Sequence, residues 1–257
     1  MEIYFYRGGQ APGPLNMAKD EYLMEESRKG GVHLRLYDWC CPTVTIGFSQ
    51  PVSKALDLEH LEREGIPFVR RLTGGKAVLH HNEITYAVSS REPLFFSNPS
   101  PYYPYLLVSE ALSLFLESLG LEVKLSNQRY GEFSRQEIAC FSFPGRWEIK
   151  VKGRKLVSGA MKKKRDVFMI HGTIPINYIR EKIAMATRTP LSLLEKSFYS
   201  LSEVLDELPT KEEMIEGILK AFSHKFRARV VEAELPEEPV RALERKYSSR
   251  EWNYRRV

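Results

Sequence analysis

Residues 68–90 read FVRRLTGGKAVLHHNEITYAVSS. Phe68–Arg71, Ala77–Leu79 and Ile84–Val88 have the β-branched and aromatic content of three short strands. The first two are joined by Thr73-Gly74-Gly75-Lys76. Successive glycines allow positive φ and remove both Cβ atoms, so a ligand can lie against bare backbone. A plain β-hairpin with a glycine-rich turn fits the spacing equally well. Strand side chains alternate between faces, so only one of Arg70 and Arg71 can share a ligand's side; the other is expected to meet a carboxylate or solvent. The stretch matches neither G-x-G-x-x-G nor a Walker loop. His80 and His81 are adjacent and point to opposite faces, a poor geometry for metal ligation, so no metal is expected.

The chain has 257 residues, 43% hydrophobic, room for one large domain or a domain with an appendage. No apolar run approaches the ~20 residues of a membrane span, and no membrane association is expected. The N-terminus, MEIYFYRGG, lacks a signal-peptide layout. Three cysteines, two of them adjacent, argue against a disulfide framework and make the cytoplasm the expected compartment. A net charge of +5 favours acidic partners. It is modest for a nucleic-acid binder, and no nucleic-acid module is recognisable, so none is expected as a partner.

Flanking segments fill in the frame. Ile3–Tyr6 reads as a strand, and Asn16 as the cap of a helix that Gly30-Gly31 stops. Val32–Tyr37 and Thr43–Ile46 read as strands, with Cys40 and Cys41 between them as packing residues. Leu56–Glu64 is a short helix. Ser100 caps another, with Pro101 at its first position. Thr210 and Glu213 form a capping-box pattern. Trp252 and Tyr254, aromatics in a charged C-terminal stretch, are expected to pack back on the body.

A second chemical stretch spans residues 139–177, ACFSFPGRWEIKVKGRKLVSGAMKKKRDVFMIHGTIPIN. Trp147, Ile149 and Val151 alternate with charged residues as a half-buried strand does. Lys155 opens the return strand ahead of three small residues, Ser158, Gly159 and Ala160. From pattern alone it is an exposed strand lysine or one that reaches a ligand passing over the small patch. Cys140 is a core hydrophobe or a nucleophile. Lys162–Arg165 is a solvated hairpin tip or a docking patch for acidic carrier proteins.

RRLTGGKAVLHH resembles the RR-x-[ST]-G-G-x-A-V-x-H signature of the biotin/lipoate protein ligase and octanoyltransferase family. The register covers Arg70, Arg71, Thr73, Gly74, Gly75, Ala77, Val78 and His80. GRKLVSGA followed by His171-Gly172-Thr173 is similar to the family's G-R-K-x-x-G-S-A and H-G-[ST], with Ser158-Gly159 in swapped order. NMAKDE, LRLYDWCCPTVTIGFSQ and the closing KYSSREWN resemble further family segments. Cys-Phe-x-x-Pro-x-Arg-Trp-Glu-Ile ahead of G-R-K is closest to the cysteine-dependent octanoyltransferases that resemble lipoate-protein ligase A.

The resemblance implies an α+β fold with a mixed, largely antiparallel β-sheet and packed helices. A catalytic domain over residues 1–180 and a mainly helical appendage over 181–257 packed on it are expected. It implies catalytic roles for Cys140 and Lys155. Substrate contacts are implied for Arg70, Arg71, Thr73, Gly74, Gly75, Ala77, His80, Ser158, Gly159, Ala160, His171, Gly172 and Thr173. The activity implied is octanoyl transfer from acyl carrier protein, through a cysteine thioester, to the attachment lysine of a lipoyl domain or glycine-cleavage H protein. Lipoyl domains of 2-oxoacid dehydrogenases are the expected acceptors. No cofactor is expected, and the chain is expected to act as a monomer. An ATP-dependent lipoate–protein ligase, using ATP and Mg²⁺, is the closest alternative. An octanoyl amidotransferase acting between lipoyl-domain proteins is the next.

Overall fold

The computed structural model describes residues 1–126 and 146–255. The chain opens with β1 (Glu2–Ala11), α1 (Gly13–Glu26), β2 (Val32–Trp39) and β3 (Thr43–Ile46). Helices α2 (Val52–Ala55) and α3 (Leu58–Arg63) lead to β4 (Phe68–Arg70), β5 (Val78–His80) and β6 (Glu83–Ser90). Helix α4 (Tyr103–Ser118) and β7 (Val123–Leu125) follow, then β8 (Ile149–Val151), β9 (Arg154–Lys163) and β10 (Phe168–Pro175). The remainder comprises α5 (Arg180–Thr187), α6 (Leu191–Ser197), α7 (Lys211–Phe226), β11 (Arg229–Glu232), α8 (Glu237–Ser248) and α9 (Arg250–Tyr254).

Eight strands form one sheet in the order β11-β1-β2-β6-β10-β9-β8-β7. Its pairs are antiparallel apart from β11–β1 and β1–β2, so the sheet is mixed and largely antiparallel. A second sheet, β4-β3-β5, stands apart from it. Strands β4 and β5 do not pair with each other: β4 lies parallel and β5 antiparallel to β3, on its two sides. The glycine-rich loop therefore crosses over β3, and the hairpin reading of residues 68–80 is set aside.

Strand alternation sorts the large sheet's side chains into two faces. Leu34 and Leu36 of β2, Tyr86 and Val88 of β6, and Phe168 and Ile170 of β10 pack in the main core with α4 and α7. Their neighbours Arg35, Tyr37 and Trp39, Thr85, and His171 and Thr173 take the opposite face. Helix α1 covers part of that face. Residues after 180 supply α7 against α4, β11 beside β1, and α8 against α1.

Three local expectations are corrected. Asn16 does not cap α1; the helix starts earlier, after Pro12, and Asn16 is buried within it, donating to the Ala11 and Asp38 carbonyls. Helix α4 begins at Tyr103, two residues beyond Pro101, with Pro104 in its first turn. Cys40 and Cys41 are both exposed, because the turn between β2 and β3 points their side chains outward, so neither is a packing residue. The capping box at Thr210 and Glu213 is present as expected.

Candidate active site

Between the large sheet's α1 face and the small sheet lies a narrow slot of about 30 Å³. For comparison, one water needs roughly 10–15 Å³. Its walls are Met17, Tyr37, Trp39, Thr45, Arg71, Val78, His80, Thr85, Ser158–Ala160 and His171–Thr173. An open hollow of about 240 Å³ adjoins it across Gly159 and Ala160, lined also by Gly74, Gly75, Tyr102, Tyr105, Arg146, Glu148 and Met161. Segments far apart in sequence thus meet at one place: the glycine-rich loop, the small-residue patch of β9, and the His-Gly-Thr of β10.

The two arginines divide as strand alternation requires. Arg71 lines the slot and clasps the loop: its guanidinium donates to the carbonyls of Gly74 (2.8 Å), Lys76 (2.7 Å) and Thr45 (3.2 Å). Arg70 turns away and is fully buried, and among the described residues it meets no carboxylate. It donates instead to the carbonyls of Gly47, Phe48 and Gln50, at 2.8–3.0 Å, and to that of Asn253 at 2.9 Å. Burial holds its pKa below the usual arginine value, with Arg255 nearby adding to the effect. The turn Gly47–Gln50 wraps this arginine, and Gly47 has no room for a side chain: a Cβ there would stand 2.0 Å from the Gly75 carbonyl oxygen.

Two buried chains, each running carboxylate–histidine–threonine, border the slot. In one, Arg35 (2.8 Å) and the Tyr37 hydroxyl (2.8 Å) donate to Asp20, whose Oδ2 lies 2.9 Å from Nδ1 of His171; Nε2 of His171 meets the Thr73 hydroxyl at 2.6 Å. In the other, Thr85 (2.5 Å) and Tyr178 donate to Glu83, whose Oε1 lies 2.8 Å from Nδ1 of His80; Nε2 of His80 meets the Thr45 hydroxyl at 2.8 Å. A carboxylate can only accept, so Nδ1 carries the proton in each imidazole and Nε2 accepts from threonine. Burial lowers the pKa of His171, against the opposing pull of Asp20, and keeps the ring neutral. Glu83 is pushed up by desolvation, but His80, Thr85 and Tyr178 together outweigh that and leave it below the usual range. The histidines, Thr45 and Arg71 thus face the slot with their polar groups already committed.

Small residues in the strands have a local cause. Gly159 and Gly172 face each other across β9 and β10. A Cβ on Gly172 would lie 2.4 Å, and one on Gly159 2.7 Å, from the Tyr86 hydroxyl, which donates to the Ser158 carbonyl at 3.3 Å. Lys155 is 1% exposed and sits behind the hollow, its Nζ 2.8 Å from Glu148, itself a lining residue. Removing one partner of such a buried pair typically costs about 3–5 kcal/mol.

Of the residues named from sequence, Arg71, His80, Ser158, Gly159, Ala160, His171, Gly172 and Thr173 line the slot, and Gly74 and Gly75 the hollow. Thr73 stands behind His171, Ala77 belongs to the core beneath the small sheet, and Arg70 anchors the neighbouring turn. Cys140 lies outside the described residues. The chain leaves them at Ser126 and rejoins at Arg146, and Ser126 is hydrogen-bonded to Trp147 and Glu148 beside the hollow. Asp20, Glu83 and Glu148 escaped the sequence reading, although NMAKDE and HHNEIT held two of them. Among the described residues, no group of three His, Cys, Asp or Glu side chains is disposed to hold a metal ion. None of their helices is long and apolar enough to cross a membrane.

Comparison with known proteins places this arrangement. An octanoyltransferase, LipM, of Moorella thermoacetica is 35% identical over 94% of this chain and 93% of its own. Lipoate-protein ligase A, solved with ATP bound, superposes with a TM-score of 0.82 at 20% identity, covering 99% of both chains. A bipartite lipoate protein ligase of Thermoplasma acidophilum, solved in a study of that ligase and its E2 lipoyl domain, gives 0.76 at 19% identity over 99% of this chain and 96% of its own. Residues 12–223 match the lipoyl protein ligase A/B catalytic domain. The chain belongs to that family.

Proposed function

We propose that this chain, an octanoyltransferase of lipoate biosynthesis, works by a cysteine thioester on Cys140 and needs neither ATP nor a metal ion. The single observation that carries the reading is structural: the glycine-rich loop, the small patch of β9 and the buried Lys155–Glu148 pair enclose one hollow that narrows into a slot. The acyl chain would run from the hollow of about 240 Å³ toward the slot, which at about 30 Å³ has to widen to admit it and whose histidines, Thr45 and Arg71 are already hydrogen-bonded. Its carbonyl end would then rest in the hollow, which Gly74 and Gly75 line.

In the first step the Cys140 thiolate attacks the donor thioester and expels the donor's thiolate. A neighbouring cation lowers a thiol's pKa from its usual ~8.5, and Lys155 is the candidate. An oxyanion donor in such a step is typically worth ~3–4 kcal/mol. In the second step the amine of an acceptor lysine attacks the acyl-enzyme, loses a proton and expels the Cys140 thiolate, leaving an amide. Octanoyl-acyl carrier protein as donor, and a lipoyl domain or glycine-cleavage H protein as acceptor, belong to the same proposal.

The test is mass spectrometry of the enzyme after incubation with octanoyl-acyl carrier protein alone. A single octanoyl adduct, sensitive to hydroxylamine, is expected. It should be absent in Cys140→Ala, retained in Cys40→Ala/Cys41→Ala, and discharged onto a lysine when a lipoyl domain is added. Transfer that survives in Cys140→Ala and depends on ATP would replace this reading with the ligase one.

A further inference from the structure

The basic run Lys162–Arg165 does not form one patch. Lys163 lies over Phe96, on one side of the strand, and Lys164 is paired with Glu25 at 3.1 Å. Lys162 turns the other way, its Nζ 5.0 Å from the ring centre of Phe48. There it joins cations from the far end of the chain. The Arg255 guanidinium stands 3.5 Å over Phe48 and 4.5 Å from Trp252. Lys246 stands 4.1 Å from Trp252. The Phe48 and Trp252 rings meet edge to face at 6.0 Å.

This cluster is short of negative charge. Lys246 has Glu21 at 2.5 Å, whereas Lys162 and Arg255 have no carboxylate partner among the described residues. Burial lowers the Lys162 pKa, and the charges of Lys164, Lys246 and Arg255 lower it further against the pull of Glu21. Like charges crowded together cost stability unless an anion joins them. The aromatic rings offset part of that cost, since a cation over a ring is worth roughly 0.5–1 kcal/mol at exposed sites. Lys162 follows Met161, which lines the hollow, and the Phe48 N–H is hydrogen-bonded to the Thr73 carbonyl at the glycine-rich loop. The cluster is therefore joined through the backbone to two segments that line the hollow, β9 and the glycine-rich loop.

We infer that Phe48, Trp252, Lys162, Lys246 and Arg255 form the docking surface for the acidic protein that carries the acyl donor. The inference rests on the transferase reading above. Its position favours donor over acceptor. An acceptor lysine is short and brings its protein to the mouth itself, while a thioester on a long flexible arm lets the donor's body rest to one side. Long-range attraction of this kind acts within ~8 Å at physiological salt and raises the rate of encounter.

The experiment compares Lys162→Glu/Arg255→Glu with the parent enzyme, using two donors: octanoyl groups on acyl carrier protein and on pantetheine. With the protein donor at low ionic strength, kcat/KM should fall roughly tenfold or more, the scale of electrostatic steering. Added salt should narrow the gap. With octanoyl-pantetheine, kcat/KM and the KM for a lipoyl domain should be unchanged, which also reports an intact fold. Lys162→Gln/Arg255→Gln should show a smaller version of the same selectivity. Equal loss with both donors in the glutamine pair, no loss with either, or a raised KM for the lipoyl domain would each overturn the docking surface. Parent enzyme that transfers from neither donor would instead bring down the transferase reading and the surface with it.

Discussion

Gly74 and Gly75 look interchangeable in sequence and are not so in space. Gly75 has φ of 91°, and a Cβ on it would lie 2.8 Å from Nη2 of Arg71, the group that clasps the loop. Gly74 has nothing within 4 Å of its Cβ position and borders the open hollow. Gly75→Ala should therefore strain the backbone by about 1–2 kcal/mol, dislodge Arg71 and lower octanoyl transfer at least tenfold. Gly74→Ala should leave the melting temperature within a degree or two and keep most of the activity. Thermal melts and transfer assays on the two variants check this, and equal behaviour would count against the clasp. The glycine pair itself was legible, because two missing Cβ atoms between strands are visible in any sequence. Which glycine bends the chain and which opens the site depends on Arg71, whose reach back over β3 no local pattern announces.

At the scale of elements, the short helix α9 does more than cover apolar surface. Asn253 accepts the Arg70 backbone N–H at 2.7 Å and, through its own carbonyl, the Arg70 guanidinium, while Trp252 donates to the Arg70 carbonyl at 2.7 Å. An Asn253→Ala variant would leave the buried Arg70 N–H without its acceptor, at a cost of about 1–3 kcal/mol. Its melting temperature should drop by several degrees, and transfer should weaken because β4 leads directly into the glycine-rich loop. An unchanged melting temperature would mean that α9 merely rests on the body. The aromatics of the C-terminal stretch told of packing, and strand alternation told that Arg70 and Arg71 part company. What Arg70 meets was hidden, since the 47–50 turn and Asn253 reach it from distant sequence. The main strands were read nearly in place, because alternation is a local property. The helix starts at Asn16 and Ser100 were misplaced, because tertiary partners and proline positions outweighed the capping propensity of those side chains.

Across the whole molecule, burial of neutral imidazoles sets the response to acid. Desolvation is the largest influence on both His171 and His33, and it lowers both pKa values below the ordinary 6.5. The unfolded chain takes up these protons near pH 6.5 while the folded chain does so only at lower pH, so stability falls as pH drops from about 6.5 toward the folded values. Glu83, also held below its usual range, adds a second loss at lower pH, as it is protonated in the folded state. The melting temperature should accordingly decline between pH 7.5 and 5.5, and the decline should be shallower in His33→Gln/His171→Gln; a flat profile in the parent protein would contradict this account. The order of the large sheet gives the molecule a further property. Its first strand lies between β2 and β11, and the strand that leads into the glycine-rich loop is held at Arg70 by a residue 183 positions downstream. During translation, then, the glycine-rich loop leaves the ribosome long before Asn253 does, and a nascent or prematurely terminated chain has most of the sheet but lacks the Asn253 contacts that fix Arg70 at the end of β4. A chain cut short before Asn253 should therefore fold its central strands and yet transfer acyl groups more slowly than one that includes it.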